Sequence, residues 1–343
     1  MKKVIGQLAK IFILNLILLF ITFSVEAEVK QLTINNAREF VTNYLAELKN
    51  KPQNDFLRFN NKMLLELFFS ELNKQENKAL FITDLDDTLF KAKYIFTAIK
   101  YRRTKLSSLR SDLKTKNPMA SEAQIEKLLA EDFWQFTKKH PEVSLLDPFY
   151  GLLLREAIKK GHYVLALTAR PEAFNHTTLK QLKQTHISFN FQMPSEIIPN
   201  NLGFHFSEPG IISSPINTEG LKSSKGLSLN SFLSYLKNQQ NQMVEFSEIF
   251  YFDDNHRDID AVKAELEKEN NSYSIKGPIT LIHSLAANYF LEKRGFLNYI
   301  EPIGDLQKEY YIKNGIKLSN EKALKLLQDR SIENNKKSCI EAL

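Results

Sequence analysis

The chain predicts an α/β fold in three layers, with a parallel sheet between helices and a helical segment inserted into it. Three observations carry this reading. Apolar runs at residues 79–83, 163–167 and 248–252 each break off at polar or acidic residues, as strands buried on both faces do where a parallel sheet meets its functional loops. Stretches of helical spacing lie between them and give a βαβ rhythm. Residues 91–145, between the first and second runs, are polar and helix-prone without a clear strand. Together these describe a Rossmann-like core with an inserted helical cap.

The elements follow in chain order. Lys2, Lys3 and Lys10 precede an apolar run over residues 11–23, and Val25-Glu26-Ala27 then places small or apolar residues where a signal peptidase reads them. Residues 1–27 are therefore expected to be a signal peptide, giving a periplasmic or secreted protein. The run is shorter than the ~20 apolar residues of a spanning helix, and an uncleaved membrane anchor is the alternative. The single Cys339 excludes an intramolecular disulfide, so stability rests on the core.

Residues 28–90 are expected to hold N-terminal helices and the first core strand. Phe40, Tyr44, Leu45 and Leu48, then Leu64, Leu65, Leu67 and Phe68, recur at helical spacing, with a break at Lys51-Pro52. Within the cap, residues 91–145, the helical stripe is Ile125, Leu128, Leu129, Phe133 and Phe136. The rest of the core fills residues 146–284. It begins with a helix over 148–160 that stops at Gly161, then the second strand, and Thr168-Ala169-Arg170-Pro171 opens another helix. Residues 187–224 carry little pattern beyond a strand near 210–213. Lys225-Gly226 starts a helix bearing Leu229, Phe232, Leu233 and Leu236, and residues 279–283 form a last strand. Residues 285–343 read as a Lys-rich helical tail.

Composition narrows the function classes. The chain is 43% hydrophobic and 25% charged, which is globular rather than disordered. Losing Lys2, Lys3, Lys10 and Glu26 with the signal would lower the formal net charge from +6 to +4, too mild for a nucleic-acid partner. The sequence has no G-x-S-x-G elbow and no H-E-x-x-H, and in residues 220–226 the Lys precedes the Gly, the wrong order for a P-loop.

What remains is acidic. Asp84-Leu85-Asp86-Asp87-Thr88 ends the first strand, and Asp253-Asp254-Asn255-His256-Arg257-Asp258 ends the 248–252 strand. Singly, such clusters are ordinary capped turns, Thr168 an ordinary strand-end cap and Lys225 a solvated helix start. Their shared place at the carboxyl ends of strands changes the reading, because that edge is where open α/β sheets bind ligands. Phosphate ester hydrolysis needs a nucleophile, a proton donor and neutralisation of several oxygens, and carboxylates with a hard cation supply all three. Asp84, first after its strand, is placed as nucleophile, and Asp86 as general acid and base.

In chain order, Asp84-Leu85-Asp86-Asp87-Thr88, the strand ending in Thr168, Lys225 before its helix, and Asp253-Asp254 with Asp258 resemble the four motifs of the haloacid dehalogenase (HAD) superfamily. The resemblance spans residues 79 to about 283, and its first and fourth motifs are the specific ones. Asp86 is similar to the acid and base of the phosphatase-like branch, the insertion between the first and second motifs resembles the family's helical type 1 cap, and the whole resembles exported bacterial HAD-like proteins. The resemblance implies Mg²⁺ held by the Asp84 carboxylate, the Asp86 backbone carbonyl and Asp254, with Asp258 an outer partner and Asp253 able to exchange roles with Asp254. It implies that Thr168 binds the phosphoryl oxygens and that Lys225 neutralises them and orients Asp84, with Lys222 a near alternative. The expected activity is phosphomonoester hydrolysis of a small molecule through an aspartyl-phosphate. A phosphotransferase or phosphomutase on the same scaffold, and a non-catalytic binding protein of the envelope, are the alternatives. The cap's Lys100, Arg102, Arg103 and Lys105 read as a solvated face or as contacts to an anionic leaving group.

Export is testable alone. A fusion of residues 1–35 to a reporter is expected to carry it across the inner membrane, and a reporter that stays active only in the cytoplasm contradicts the signal.

Overall fold

A computed structural model describes residues 65–341 apart from 67, 71, 76–77, 194–203, 208, 215–223, 239–244, 269–278, 285–290, 292–293 and 295. The expected signal, the helical spacing at Phe40 to Leu48, and Lys222 lie outside the described residues. Among those described, no helix is long and apolar enough to cross a membrane.

The elements are β1 (Lys78–Thr83), β2 (Phe90–Ala92), α1 (Ile99–Thr104), α2 (Leu106–Lys116), α3 (Glu122–Lys139) and β3 (Val143–Leu145). They continue with α4 (Pro148–Lys159), β4 (Tyr163–Thr168), α5 (Asn175–Gln184), β5 (His205–Ser207), β6 (Ile211–Ser213) and α6 (Lys225–Asn238). The last are β7 (Phe246–Asp253), α7 (His256–Leu266), β8 (Ile279–His283), α8 (Ile300–Asn314) and α9 (Asn320–Glu341).

Six strands form one sheet in the order β5-β6-β4-β1-β7-β8. Every pairing is parallel except β5 with β6. Alternation along the strands splits the core into two layers. Ala79, Phe81, Val164, Ala166, Phe250 and Phe252 pack with Leu65, Phe68 and Phe69 and with Phe149, Leu153 and Leu154 of α4. Leu80, Ile82, Leu165, Leu167 and Tyr251 face Leu229, Phe232, Leu233 and Leu236 of α6, and Val262 of α7. Each such Leu or Phe taken from water contributes about 1.5–3 kcal/mol, and burial on both sides is why these strands read as unbroken apolar runs. Local signals set the junctions. Asp147 caps α4 by accepting from the Phe149 N–H, Pro148 opens that helix, and Gly161 at φ +83° turns the chain into β4.

Two details add to the expected fold. The sheet is mixed, because β5 pairs antiparallel at one edge. It is short and only half-buried, so it carries no apolar alternation to read. The insertion is not wholly helical either. β2 and β3 pair antiparallel, Phe90 opposite Leu145 and Ala92 opposite Val143, and close the stem from which α1, α2 and α3 project. With three half-exposed residues, β3 resembles loop in sequence.

The C-terminal helices are not a free tail. Phe296, Ile303, Leu306, Leu318 and Ala323 form a third apolar cluster with Ile95, Phe96 and Tyr101 of the insertion. Buried Gln307 accepts from the Phe96 N–H at 3.1 Å, and Asn320 accepts from the Ile95 N–H at 3.0 Å. A Cβ on Gly304 would stand 2.2 Å from the Tyr101 ring, so α8 approaches α1 over a bare backbone. Tyr101 and Lys105 close the contact on Asp305, each at 2.8 Å. The insertion is therefore packed against a distant part of the chain.

Behind the sheet, His162 is fully buried and stacks on Phe69. Its Nδ1 accepts from the Ala79 N–H at 3.2 Å, while Nε2 has no partner among the described residues. Burial, with some repulsion from Lys78, lowers its pKa from 6.5 to about 4. The folded pKa lies below the unfolded one, so the unfolded chain binds the extra proton between these values and stability falls as pH drops from about 6.5 to about 4. Allowing for screening, the loss is expected to be roughly 1–2 kcal/mol. In denaturant titrations at pH 7 and pH 5, His162→Asn should show a shallower pH dependence than wild type. An unchanged slope would place the titration elsewhere.

Candidate active site

The register of β1 on β7 puts the two acidic clusters side by side. Thr83 lies opposite Phe252, and the Asp84 N–H donates to the Phe252 carbonyl at 2.8 Å. Asp84, just past β1, thereby neighbours Asp253, the last residue of β7. Lys225 reaches them from the first position of α6. Its Nζ donates to Asp84 Oδ1 and to Asp253 Oδ2, both at 2.7 Å, and lies 3.4 Å from Asp258 Oδ2. Gly226 permits the approach, since a Cβ there would fall 2.2 Å from the Ala261 carbonyl of α7.

Asp253 accepts from three protein donors. Lys225 and the Tyr251 hydroxyl donate to Oδ2, and the Asn255 N–H donates to Oδ1 at 2.8 Å. Asp258 accepts from Asn255 Nδ2 at 3.0 Å, which fixes the same turn. Asp254 differs. Only the Thr88 hydroxyl approaches its carboxylate among the described residues, at a long 3.5 Å, while its carbonyl lies 2.9 Å from His283 Nε2.

Oxygens of Asp84, Asp253 and Asp254 all lie within 4.8 Å of one another, so the three could hold a metal ion. Electrostatics fit that use. Burial raises the Asp84 pKa well above the usual carboxylate range, against the pull of Lys225 and with help from Asp253, Asp254 and Asp86. Burial, with Asp87 and Asp253 next, lifts Asp254 to about 7. A divalent cation would relieve both. The charge of Lys225 is opposed by burial, but Asp84, Asp253 and Asp258 outweigh this and keep its pKa above the ordinary value.

The loop after β1 turns tightly beyond Asp84. Asp87 takes a left-handed conformation at φ 61°, its N–H donates to the Phe90 carbonyl at 2.8 Å, and Leu89 and Phe90 both donate to Leu85 O. Burial and the nearby Asp86 raise Asp87 to about 6, against the opposing charges of Lys100 and Arg103 on α1. Of the cap's basic cluster, Arg102 pairs with Asp132, and Lys105 with Glu301 and Asp305.

Asp86 stands apart from the clustered carboxylates, gripped by Arg170 at 2.8 and 2.6 Å. Thr168, at the end of β4, is buried, and its Oγ1 accepts from the Arg170 N–H at 3.2 Å. Arg170, Tyr251 and Asn255 carry no weight in the sequence reading. Tyr251 reads as one more apolar strand residue. For Arg170 the available signal was a charged residue two positions after a buried strand end. Asp86, Asp87, Phe90, Thr97, His140 and Gln181 line a cleft between this edge and the insertion.

A mostly parallel α/β sheet with convergent acids and a buried lysine at its carboxyl edge defines the class. The chain belongs to the family described as "Protein of unknown function (DUF2608)", whose profile matches residues 66–275, more than half of its length. No curated protein matches it. Among solved structures, a provisionally assigned phosphatase from Clostridium difficile is 15% identical with a TM-score of 0.34, covering 65% of this chain and 100% of that chain. A provisionally assigned haloacid dehalogenase-like hydrolase from Bacteroides fragilis is 12% identical with a TM-score of 0.31, covering 60% and 98%. Both likenesses are distant, and the site's own geometry carries the chemistry.

Metal titration separates the adjacent acids Asp253 and Asp254. Asp254→Asn is expected to weaken Mg²⁺ or Mn²⁺ binding by about tenfold or more, and by more than Asp253→Asn does. Calorimetric titration of both variants checks this, and a larger loss in Asp253→Asn would exchange their roles.

Proposed function

We propose that the protein is an exported phosphomonoester hydrolase of the HAD type, working through an aspartyl-phosphate on Asp84. The observation that carries this reading is the convergence of Asp84, Asp253 and Asp254 on Lys225 at the carboxyl edge of the sheet. A carboxylate fixed by a buried ammonium on one oxygen keeps its other oxygen for attack.

In the first step Asp84 Oδ attacks phosphorus, the bond from phosphorus to the ester oxygen breaks, and that oxygen leaves with a proton from Asp86. In the second, water attacks the phosphorus, gives its proton to Asp86, and releases phosphate as the bond to Asp84 breaks. Lys225 orients Asp84, and Thr168 offers its hydroxyl to the phosphoryl oxygens. Mg²⁺ held by Asp84 and Asp254, with the Asp86 backbone carbonyl, would neutralise phosphate charge.

Asp84→Asn is expected to abolish turnover and phosphoenzyme together. Asp86→Asn should retain a phosphoenzyme burst slowed by about 10²- to 10⁴-fold, because proton transfer is lost and the nucleophile kept. The burst deficit should shrink for a nitrophenyl ester, whose leaving group needs little protonation. Rapid-quench measurements of both variants decide this, and a burst in Asp84→Asn would refute the nucleophile. Phosphate release that requires an added alcohol acceptor would favour a phosphotransferase.

A further inference from the structure

Arg170 is among the largest fully buried side chains of the protein, at 1% exposure. Its Nε donates to Asp86 Oδ2 at 2.8 Å and its Nη2 to Asp86 Oδ1 at 2.6 Å. Nη1 donates to Thr178 Oγ1 at 2.9 Å and to Gln181 Oε1 at 2.6 Å, both on α5. Phe90 and Phe174 each lie 5.8 Å from the guanidinium. The planar fork has no freedom left to follow a moving carboxylate.

A purely structural ion pair would serve burial alone. Here the acceptor is two residues from Asp84, is only partly covered at 23% exposure, and lines the cleft with Gln181. A carboxylate with two in-plane N–H donors keeps further lone pairs on both oxygens, and these are what a leaving group or water would meet. Gln181 also donates from Nε2 to the Pro141 carbonyl at 3.0 Å, two residues before β3. The clamp is thus braced both by α5 and by the stem of the insertion.

We propose that Arg170 is a positioning residue for Asp86: it holds the carboxylate in one orientation, set by the turn after β4 and by α5, for both proton transfers. The inference rests on the hydrolase reading above. Arg170 takes no part in bond making; it fixes where the proton is given and received. Displacing a reacting group by about 1 Å can cost on the order of 10²-fold. Lysine at this position would keep the charge and lose the fork.

The test is a double-mutant cycle on the phosphoenzyme burst, with wild type, Arg170→Lys, Asp86→Asn and the double variant. Folding of each is monitored by thermal unfolding. With an alkyl phosphate, Arg170→Lys is expected to slow the burst by about 10- to 100-fold. In the Asp86→Asn background the same change should cost less than about threefold, because a residue that acts through Asp86 has nothing left to act on. With nitrophenyl phosphate the Arg170→Lys deficit should shrink in parallel with that of Asp86→Asn. Equal losses in both backgrounds overturn the proposal, as does a wild-type burst in Arg170→Lys. Should Arg170→Lys not fold, Gln181→Leu carries the test, since it removes a brace and leaves the pair. Its smaller deficit, about threefold or more, should show the same dependence on leaving group, and a deficit blind to leaving group overturns the idea. A wild-type protein that forms no phosphoenzyme with either ester overturns the hydrolase reading along with it. A wild-type burst with additive mutants defeats only the positioning role.

Discussion

One buried ammonium organises the edge of this sheet. Lys225 binds Asp84 and Asp253, which neighbouring parallel strands deliver to the same point. Without it, adjacent carboxylates would meet in a place with almost no access to water, where unpaired charge is costly. With it, one acid is anchored to the lysine, a tyrosine and a backbone amide, and another keeps an oxygen for chemistry. The division of labour follows from counting donors. Asp253 receives three donors, whereas the carboxylate of Asp254 has one long contact among the described residues.

The remaining imbalance is informative. Burial is the main cause of the raised pKa values of Asp84 and Asp254, and their acidic neighbours add to it against the pull of Lys225. The site is therefore poised for added positive charge. Strain of this kind persists because the surrounding sheet is rigid, with β1 and β7 buried along almost their whole length. The core contributes the stability that the site consumes.

Much of this was legible in the sequence, and the reasons are physical. A strand covered on both faces must be apolar throughout, so β1, β4 and β7 stand out, and an acid directly after such a strand can only sit at its carboxyl edge. Lys225 by itself reads as a solvated helix start, and only its likeness to the third motif pointed to the site. What escaped depends on contacts remote in sequence or on elements too weakly buried to leave a pattern. β5 and β3 are short and half-exposed. Arg170 and Asp86 are 84 positions apart, and neither neighbourhood announces the other. Nothing local marks Tyr251 as a partner of Asp253, because a tyrosine in a buried strand resembles any other core ring until its hydroxyl is placed. The attachment of α8 and α9 to the insertion was hidden in the same way, since their apolar stripes name a buried face without naming its partner.

That attachment ties the stem of the insertion to the end of the described chain. The amide of Ile95 is satisfied by Asn320, 225 positions later, and that of Phe96 by Gln307, 211 positions later. A buried amide left without its acceptor costs about 1–3 kcal/mol. The backbone just after β2 is therefore completed from residues 307 and 320, and damage that far away in sequence is felt at the base of the insertion.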